Sequence, residues 1–368
     1  MTNIMDYLKE GKSFKELPFN EIDSLILSQL SYFHFNHDIP LLEEDNAFVL
    51  FDKIILDDLD FVTNGLLYKE RNISLIKAVR ISKRFKNLKV NYYQEIVDYE
   101  QEMQFSAVTF NIEGINYVSY RGTDATILGW KEDFNMAYMC PVPAQRMAVK
   151  YLKIVMKKIG GIFYLGGHSK GGNLAIYAGM NINLWQRNKI KKIFSHDGPG
   201  FRKQIYDSLR YRLIRGKIFK TVPQSSIIGM VMFSREDIRV VKSNTVGIFQ
   251  HNAFSWIIKN DRFVYLKDRA EDSKYIDQTV TDWLSEIDDD KRKVFVDTLY
   301  EILKNENYDS FMDLKKNWFK VYATVKKDKN KLDPETRKII DEIINRLIYY
   351  GTNNLKIAKN VKKILQTK

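Results

Sequence analysis

The segment that decides the fold is Gly161-Ile-Phe-Tyr-Leu-Gly-Gly167-His168-Ser169-Lys170-Gly171-Gly172-Asn-Leu-Ala-Ile-Tyr-Ala178. It begins with a short apolar run bounded by glycines, which is typical of a buried strand. The pattern Gly-x-Ser-x-Gly follows, and the residues after it have helical character. A serine in this context lies in a strained turn, and the flanking glycines relieve crowding with the neighbouring backbone. The segment therefore predicts a strand, a sharp turn that presents Ser169 as a nucleophile, and a helix.

The residues around this segment alternate between strand and helix patterns. Residues 105–111 and 115–120 are rich in β-branched and aromatic residues, and a Glu113-Gly114 turn separates them, which predicts a hairpin or two adjacent strands. Residues 144–159 have helical spacing, whereas 190–195, 217–222 and 227–233 have strand patterns. This alternation predicts an α/β fold with a mostly parallel central sheet that is covered by helices on both faces.

The predicted secondary structure changes on both sides of this α/β segment. Residues 1–104 have mainly helical patterns, and from residue 272 onward the strand patterns give way to amphipathic helical ones. An Asp333-Pro334 pair is a typical helix start. We therefore predict a catalytic α/β domain over residues 1–270, in which residues 1–104 are mainly helical, and a basic helical region over 271–368.

The charge is concentrated in that last region. The 368-residue chain has a formal net charge of +12, and residues 315–368 contain 15 Lys and Arg against 5 Asp and Glu. This excess predicts a solvated helical surface or, as the alternative, a face for an anionic membrane. Nucleic acid is disfavoured as a partner, because no RRM, zinc-finger or helix-turn-helix pattern accompanies the charge.

Composition also limits the cofactor and the compartment. The single Cys140 excludes an intramolecular disulfide framework, and no Cys/His cluster with metal-ligand spacing is present, so we predict neither a metal nor a cofactor. The N-terminal ten residues lack a signal-peptide pattern, and no apolar run approaches the roughly 18 residues of a membrane span. The expected location is the cytoplasm, with peripheral attachment to a membrane as an alternative.

A serine nucleophile needs a general base and a group that orients the base. His196 and His251 are the histidines downstream of Ser169. His251 lies in a loop-like stretch after the core strands and is the predicted base. His196 directly precedes Asp197, and at the end of one strand their side chains would point to opposite faces.

The acid and the oxyanion hole are predicted from strand ends. Asp197 ends the strand after the nucleophile helix and is followed by Gly-Pro-Gly, which would place its carboxylate at the rim of the sheet. Glu236 and Asp237, one strand later than Val222-Pro-Gln-Ser-Ser, are the competing acids, and a purely turn-capping Asp197 is a further alternative. The oxyanion donors are predicted to be the N–H of Lys170 and the N–H and hydroxyl of Thr123.

Several motifs together resemble the class 3 (fungal-type) lipases. These are Tyr-Arg-Gly-Thr-Asp ending at Asp124, then Trp130 and Asp133, then Gly-His-Ser-x-Gly-Gly-Asn-Leu-Ala. The wider pattern, which includes Asp-Gly-Pro-Gly-Phe and Gln-His-x-x-Phe-Ser-Trp, is similar to a bacterial lipase-like family of unknown function. The resemblance implies an α/β-hydrolase fold with Ser169 as nucleophile, His251 as base, and Thr123 and Lys170 as oxyanion donors. It departs at the acid, because Gln-Ser-Ser stands where those lipases keep an Asp.

The predicted function is a lipase- or esterase-like serine hydrolase that cleaves carboxylic esters, small or lipid, through an acyl-enzyme on Ser169. Two alternatives remain open. One is a non-catalytic module of the same fold that binds lipid or a partner through the basic helical region. The other is acyl transfer or thioester cleavage at the same site, which sequence patterns do not separate from ester hydrolysis. The apolar residues 134–143 are either an acyl-binding wall or lid, or ordinary core.

Overall fold

The computed structural model describes residues 2–35, 39–55, 58–124, 127–226, 228–230 and 232–270, together with 288–290, 292–294, 296–297, 300, 334, 337–338 and 341. The helical region that we predict over residues 271–368, and its basic segment 315–368, therefore lie almost entirely outside the described residues. Their structure and the boundary near residue 270 stay predictions. None of the described helices is long and apolar enough to span a bilayer.

One large mixed sheet forms the centre of the described residues. Its order is β1-β2-β3-β4-β5-β6-β7-β8-β11. Strands β4 to β8 are parallel. At one side of the sheet the neighbouring strands β1, β2, β3 and β4 pair antiparallel in that order, and at the other side β11 pairs antiparallel with β8. Strands β9 and β10 form a separate small antiparallel pair. The strands are β1 (Val49–Leu50), β2 (Lys89–Asp98), β3 (Met103–Ile112), β4 (Ile115–Tyr120), β5 (Ile162–His168), β6 (Ile190–His196), β7 (Ile218–Pro223), β8 (Ile238–Val241), β9 (Ile258–Lys259), β10 (Arg262–Phe263) and β11 (Tyr265–Leu266).

Helices connect and cover these strands. They are α1 (Ile4–Glu10), α2 (Glu21–Leu30), α3 (Leu59–Val62), α4 (Lys69–Ile81), α5 (Ile127–Asn135), α6 (Pro143–Lys158), α7 (Lys170–Met180), α8 (Leu184–Lys189), α9 (Lys203–Asp207) and α10 (Leu209–Arg212). Short 3₁₀ turns lie at Phe51–Lys53, Arg215–Lys217, Ile228–Met230, Gly247–His251 and Ala253–Ser255.

Each face of the sheet has its own hydrophobic core. Helices α1, α2 and α4 pack on one face, and α6 and α7 pack on the other. Strand β5 shows the alternation, because Phe163 and Leu165 belong to the core under α6 and α7, whereas Tyr164 packs towards α2. The predicted α/β-hydrolase fold is thus confirmed, with its parallel strands buried on both sides.

Two strands differ from the sequence-based expectation. The helical N-terminal region continues into the long strand β2, which the sequence pattern did not predict. The strand predicted at 227–233 was wrong, because the chain forms the 3₁₀ turn Ile228–Met230 and the next strand is β8. The hydroxyl of Ser226 accepts a hydrogen bond from Gly229 N–H (3.1 Å). That local bond starts a turn where the apolar pattern favoured a strand.

Candidate active site

Ser169 lies in a sharp turn between β5, which ends at His168, and α7, which begins at Lys170. Its φ of 57° with ψ of −134° is a strained backbone conformation for a residue other than glycine. The turn needs small neighbours: a Cβ at Gly171 would clash with the carbonyl oxygen of Tyr120, and one at Gly167 would clash with Gly171. The backbone therefore has the geometry of a nucleophile elbow, as the sequence predicted.

His251 and Asp197 meet at the same edge of the sheet as this turn. His251 Nδ1 lies 2.6 Å from Asp197 Oδ2, and the Asp197 side chain is buried while that of His251 is about a quarter exposed. An ionised carboxylate can only accept, so Nδ1 carries the proton and Nε2 is left to accept one. The pair therefore has the orientation that a general base and its orienting acid require.

The second carboxylate oxygen of Asp197 also accepts a hydrogen bond. Ser226 Oγ donates a hydrogen bond to Asp197 Oδ1 over 2.5 Å. Ser226 belongs to the Gln-Ser-Ser segment after β7, where the class 3 lipases keep their acid. That strand end thus supplies a hydrogen-bond donor to the carboxylate of the preceding strand.

The competing acids lie in other environments. Glu236 is buried, accepts hydrogen bonds from Tyr206 and Ser234, and lies 3.8 Å from Lys220 Nζ. Asp237 is exposed. The structure therefore brings Asp197, and neither of the two alternatives, into contact with His251.

His196 faces away from this cluster, as strand alternation predicts. It is fully buried, with Nε2 at 2.9 Å from Ser24 Oγ and Nδ1 at 2.8 Å from Thr221 Oγ1. Burial lowers the pKa of His196 to about 3. His196 is therefore a neutral core residue that ties α2 to the sheet.

His168 links the elbow to His251. Its Nε2 lies 2.8 Å from the carbonyl oxygen of His251, its Nδ1 lies 3.1 Å from the Tyr32 hydroxyl, and the two imidazole centroids are 4.5 Å apart. A carbonyl only accepts, so Nε2 carries the proton and Tyr32 donates to Nδ1. Burial and the neighbouring His251 and His196 lower the pKa of His168 well below its usual value. Neutral His168 thus fixes the loop that carries His251.

Among the described residues, Ser169 Oγ has no hydrogen-bond partner, so its contact with His251 is not formed in this arrangement. Contacts between a nucleophile and its base often tighten only when substrate binds. The contact between the two rings keeps the His251 imidazole beside His168, the residue that precedes Ser169.

Two backbone N–H groups are open beside Ser169. Lys170 N–H is the first of α7, at the positive end of the helix dipole, and neither it nor Thr123 N–H donates to an acceptor within the described residues. The Thr123 loop lies against the elbow, since a Cβ at Gly122 would come within 2.6 Å of the His168 carbonyl oxygen. The hydroxyl of Thr123 donates to Asp133 Oδ2 over 2.6 Å. Its N–H is therefore the group that stays available.

Asp133 has an unusual environment for a carboxylate. Its Oδ1 is buried without a hydrogen-bond partner among the described residues. Burial raises the pKa of Asp133 to about 6, although the Lys170 ammonium and the Thr123 hydroxyl both favour the ionised form. The carboxylate that holds Thr123 is therefore easier to protonate than an exposed aspartate.

A buried ion pair joins Lys170, the residue after Ser169, to Glu132. Lys170 Nζ lies 2.9 Å from Glu132 Oε2 and 2.9 Å from the Gln104 carbonyl oxygen, and the side chains of Lys170 and Glu132 are 1% and 0% exposed. Glu132 also accepts the N–H groups of Gln104 (3.1 Å) and Ala144 (2.9 Å). This carboxylate thus joins β3, α5, α6 and α7 at one point.

We expect Lys170→Met to lower the free energy of unfolding by about 3 kcal/mol, because it leaves the Glu132 carboxylate buried without its counter-ion. Chemical denaturation of the purified variant measures this loss. Lys153→Met is the matched control, since Lys153 is exposed on α6 and its removal is expected to change stability little. Equal effects of the two substitutions would contradict the importance of the pair.

Sequence patterns missed the supporting residues of the site. The positions of Tyr32, Glu132 and Ser226 carry no local signal, because their contacts join residues 136, 38 and 29 positions apart in the chain. Asp133 stood out only as a member of a motif. Among the residues that the structure describes, no group of three or more His, Cys, Asp or Glu side chains could hold a metal ion.

Comparisons with solved structures find remote likenesses to lipases. M37 lipase is 16% identical over 58% of this chain and 70% of its own, with a TM-score of 0.39. The lipase of Rhizomucor miehei in its propeptide complex is 14% identical over 46% of this chain and 59% of its own, with a TM-score of 0.31. A mutant form of MDLA from Penicillium cyclopium is 10% identical over 60% of this chain and 78% of its own, with a TM-score of 0.38.

No curated protein matches the chain. The fold assignment rests on the sheet order and the elbow of the chain itself. The family model Mbeg1-like matches residues 79–301, which is more than half of the sequence. The chain therefore belongs to the Mbeg1-like family.

Proposed function

We propose that the chain is a serine hydrolase that cleaves carboxylic esters through an acyl-enzyme on Ser169. The observation that carries the proposal is the hydrogen bond between Asp197 and His251 beside a strained Ser169. The N–H groups of Lys170 and Thr123, which donate to no acceptor in the described part of the chain, support it further, because acyl transfer needs donors for a developing oxyanion.

In the proposed first step, Ser169 Oγ attacks the ester carbonyl carbon and His251 Nε2 takes the hydroxyl proton. The carbonyl oxygen becomes negative and is stabilised by the N–H groups of Lys170 and Thr123. The Asp197 carboxylate stabilises the imidazolium that forms. His251 then returns the proton to the leaving alkoxide, so that an alcohol departs and the acyl group stays on Ser169.

In the second step, water gives its proton to His251 and attacks the acyl carbon. The same two N–H groups stabilise the second oxyanion, and the Ser169 oxygen leaves with the proton from His251. The carboxylic acid product and free Ser169 complete the cycle. A thioester or another acyl acceptor would use the same groups, so the proposal commits to the acyl-enzyme and to esters as its substrate class.

The apolar stretch after the Thr123 loop contains both buried and exposed side chains. Met136 and Val142 are buried, whereas Phe134 and Met139 are 41% and 36% exposed. We propose that the exposed pair contacts the acyl chain of the substrate, because both residues follow the Thr123 loop in the chain and ligand sites for apolar groups are lined by apolar side chains. The buried pair belongs to the core.

A fluorophosphonate probe tests the proposal directly. We expect the wild-type chain to be labelled on Ser169, because the probe phosphonylates an activated serine and stays attached as a stable adduct. Mass spectrometry of the labelled peptides locates the adduct. An unlabelled chain, in a reaction where a known serine hydrolase is labelled, would favour the non-catalytic alternative, and an adduct on a different serine would refute the assignment of Ser169.

A further inference from the structure

A basic and apolar surface lies at the end of the sheet opposite Ser169. Helix α8 leads into β6, and the 3₁₀ turn Arg215–Lys217 leads into β7, so both stand at the amino ends of parallel strands. β6 has seven residues, which at about 3.3 Å each span about 23 Å. We name this surface the amino-edge patch, and its exposed members are Leu184, Trp185, Lys189, Lys191, Leu209, Arg210, Arg212, Leu213 and Arg215.

Hydrogen bonds join the elements of the patch. Lys217 Nζ donates to the carbonyl oxygens of Arg187 (2.7 Å) and Ile190 (2.8 Å), which binds the 3₁₀ turn to the end of α8. Arg210 Nη1 donates to Asn181 Oδ1 (2.8 Å), which binds α10 to the segment before α8. The patch is therefore one surface rather than separate loops.

The cations of the patch crowd one another. Burial and the neighbouring Lys191 and Arg187 lower the pKa of Lys217, and burial and Arg210 lower that of Arg187. The nearby Asp207 pairs with Arg235 (2.5 Å). Within the described residues, no ion pair joins Lys189, Lys191 or Arg215 to a carboxylate. An anionic surface would relieve this repulsion.

Exposed apolar side chains accompany these cations. Trp185 is 84% exposed, Leu209 is 67% exposed and Leu184 is 58% exposed. Basic residues alone would suit any polyanion, but exposed Trp and Leu among them are typical of surfaces that lie in the interface of a lipid bilayer. The combination favours a membrane over nucleic acid as the partner.

We propose that the amino-edge patch docks the protein on an anionic lipid bilayer, with Trp185 and Leu209 inserted at the headgroup level and the Lys and Arg side chains among the headgroups. The proposal is independent of the proposed function. Docked in this way, the protein holds the Ser169 edge away from the bilayer to which it is bound. Its substrate then reaches the site from the aqueous side.

Vesicle co-sedimentation at low salt tests the docking. We expect the full chain to bind vesicles of phosphatidylcholine with phosphatidylglycerol, to bind phosphatidylcholine alone much more weakly, and to be released by high salt. The variant Lys189→Glu/Lys191→Glu/Arg215→Glu is expected to bind at least about 100-fold more weakly, because each basic residue at such a surface contributes about fivefold. These side chains are exposed, so the variant is expected to fold and to turn over a soluble ester as the wild type does.

The matched control is Arg71→Glu/Lys77→Glu/Lys86→Glu, which changes the net charge equally at exposed positions outside the patch. It is expected to keep vesicle binding. Equal binding by both variants would overturn the proposal and point to residues 315–368 or to net charge. Absence of binding by the wild type would also overturn it.

Trp185 gives a second readout. A blue shift of tryptophan fluorescence is expected on binding to the anionic vesicles, and it should be lost in Trp185→Phe. Tighter binding to a single-stranded oligonucleotide than to the vesicles, abolished by the patch substitutions, would assign the patch to nucleic acid and refute the membrane proposal.

Discussion

Ester turnover is expected to fall about a millionfold in kcat when Ser169 is replaced by alanine, because the attacking oxygen is lost and the remaining groups cannot form an acyl-enzyme. The strained backbone at Ser169 depends on the glycines around it rather than on the hydroxyl, so Ser169→Ala is expected to stay folded. Steady-state hydrolysis of a p-nitrophenyl ester by the purified variant measures the loss.

Ser195→Ala is the matched control for this substitution. Ser195 is buried on β6 beneath the elbow, and its hydroxyl has no hydrogen-bond partner among the described residues. Removal of that hydroxyl is expected to leave turnover close to the wild-type value. If Ser169→Ala retained the wild-type rate, the hydrolysis would belong to another residue or to a contaminant, and the proposed function would fail.

The second large effect is expected for Asp197→Asn, with a loss of about 10⁴-fold in kcat. The carboxylate accepts the Nδ1 proton of His251, which leaves Nε2 free to take the proton of Ser169. An amide at this position can donate to Nδ1 instead, so the proton moves to Nε2 and the imidazole can no longer act as a base. The kinetic assay used for Ser169→Ala measures this loss, and thermal unfolding checks that the variant is folded.

Asp237→Asn provides the control for the acid, because Asp237 is exposed and makes no contact with His251 among the described residues. It is expected to leave kcat nearly unchanged. A large loss in Asp237→Asn together with a small loss in Asp197→Asn would reverse the assignment and show that His251 changes partner during the reaction.

The residues of the site that could be predicted are those whose signal is local. Ser169, its glycines and the following helix are contiguous, so the strained turn was predicted from one segment. Asp197 could be placed at the rim of the sheet, because a strand pattern and a Gly-Pro-Gly turn enclose it. Its contact with His251 joins residues 54 positions apart and became visible only in the folded chain.

The errors have a physical origin as well. Apolar residues at 227–233 fit a strand pattern, but Ser226 caps a turn there while its hydroxyl also serves Asp197. The buried Lys170–Glu132 pair could not be predicted from the sequence for a different reason. Charged residues are usually exposed, and the sequence does not show that two backbone N–H groups and the Lys170 ammonium converge on one carboxylate.

The Tyr32 hydroxyl, which donates to His168, has a consequence for how the chain can be divided. Tyr32 follows α2, and α2 also contributes Ser24 to the bond with His196, whereas the family match begins at residue 79. A fragment cut to the matched residues would keep every proposed catalytic group and lose the hydroxyl that fixes His168 and, through it, the His251 carbonyl. The N-terminal helices are thus not a removable appendage, because they contribute hydrogen bonds that support the proposed site.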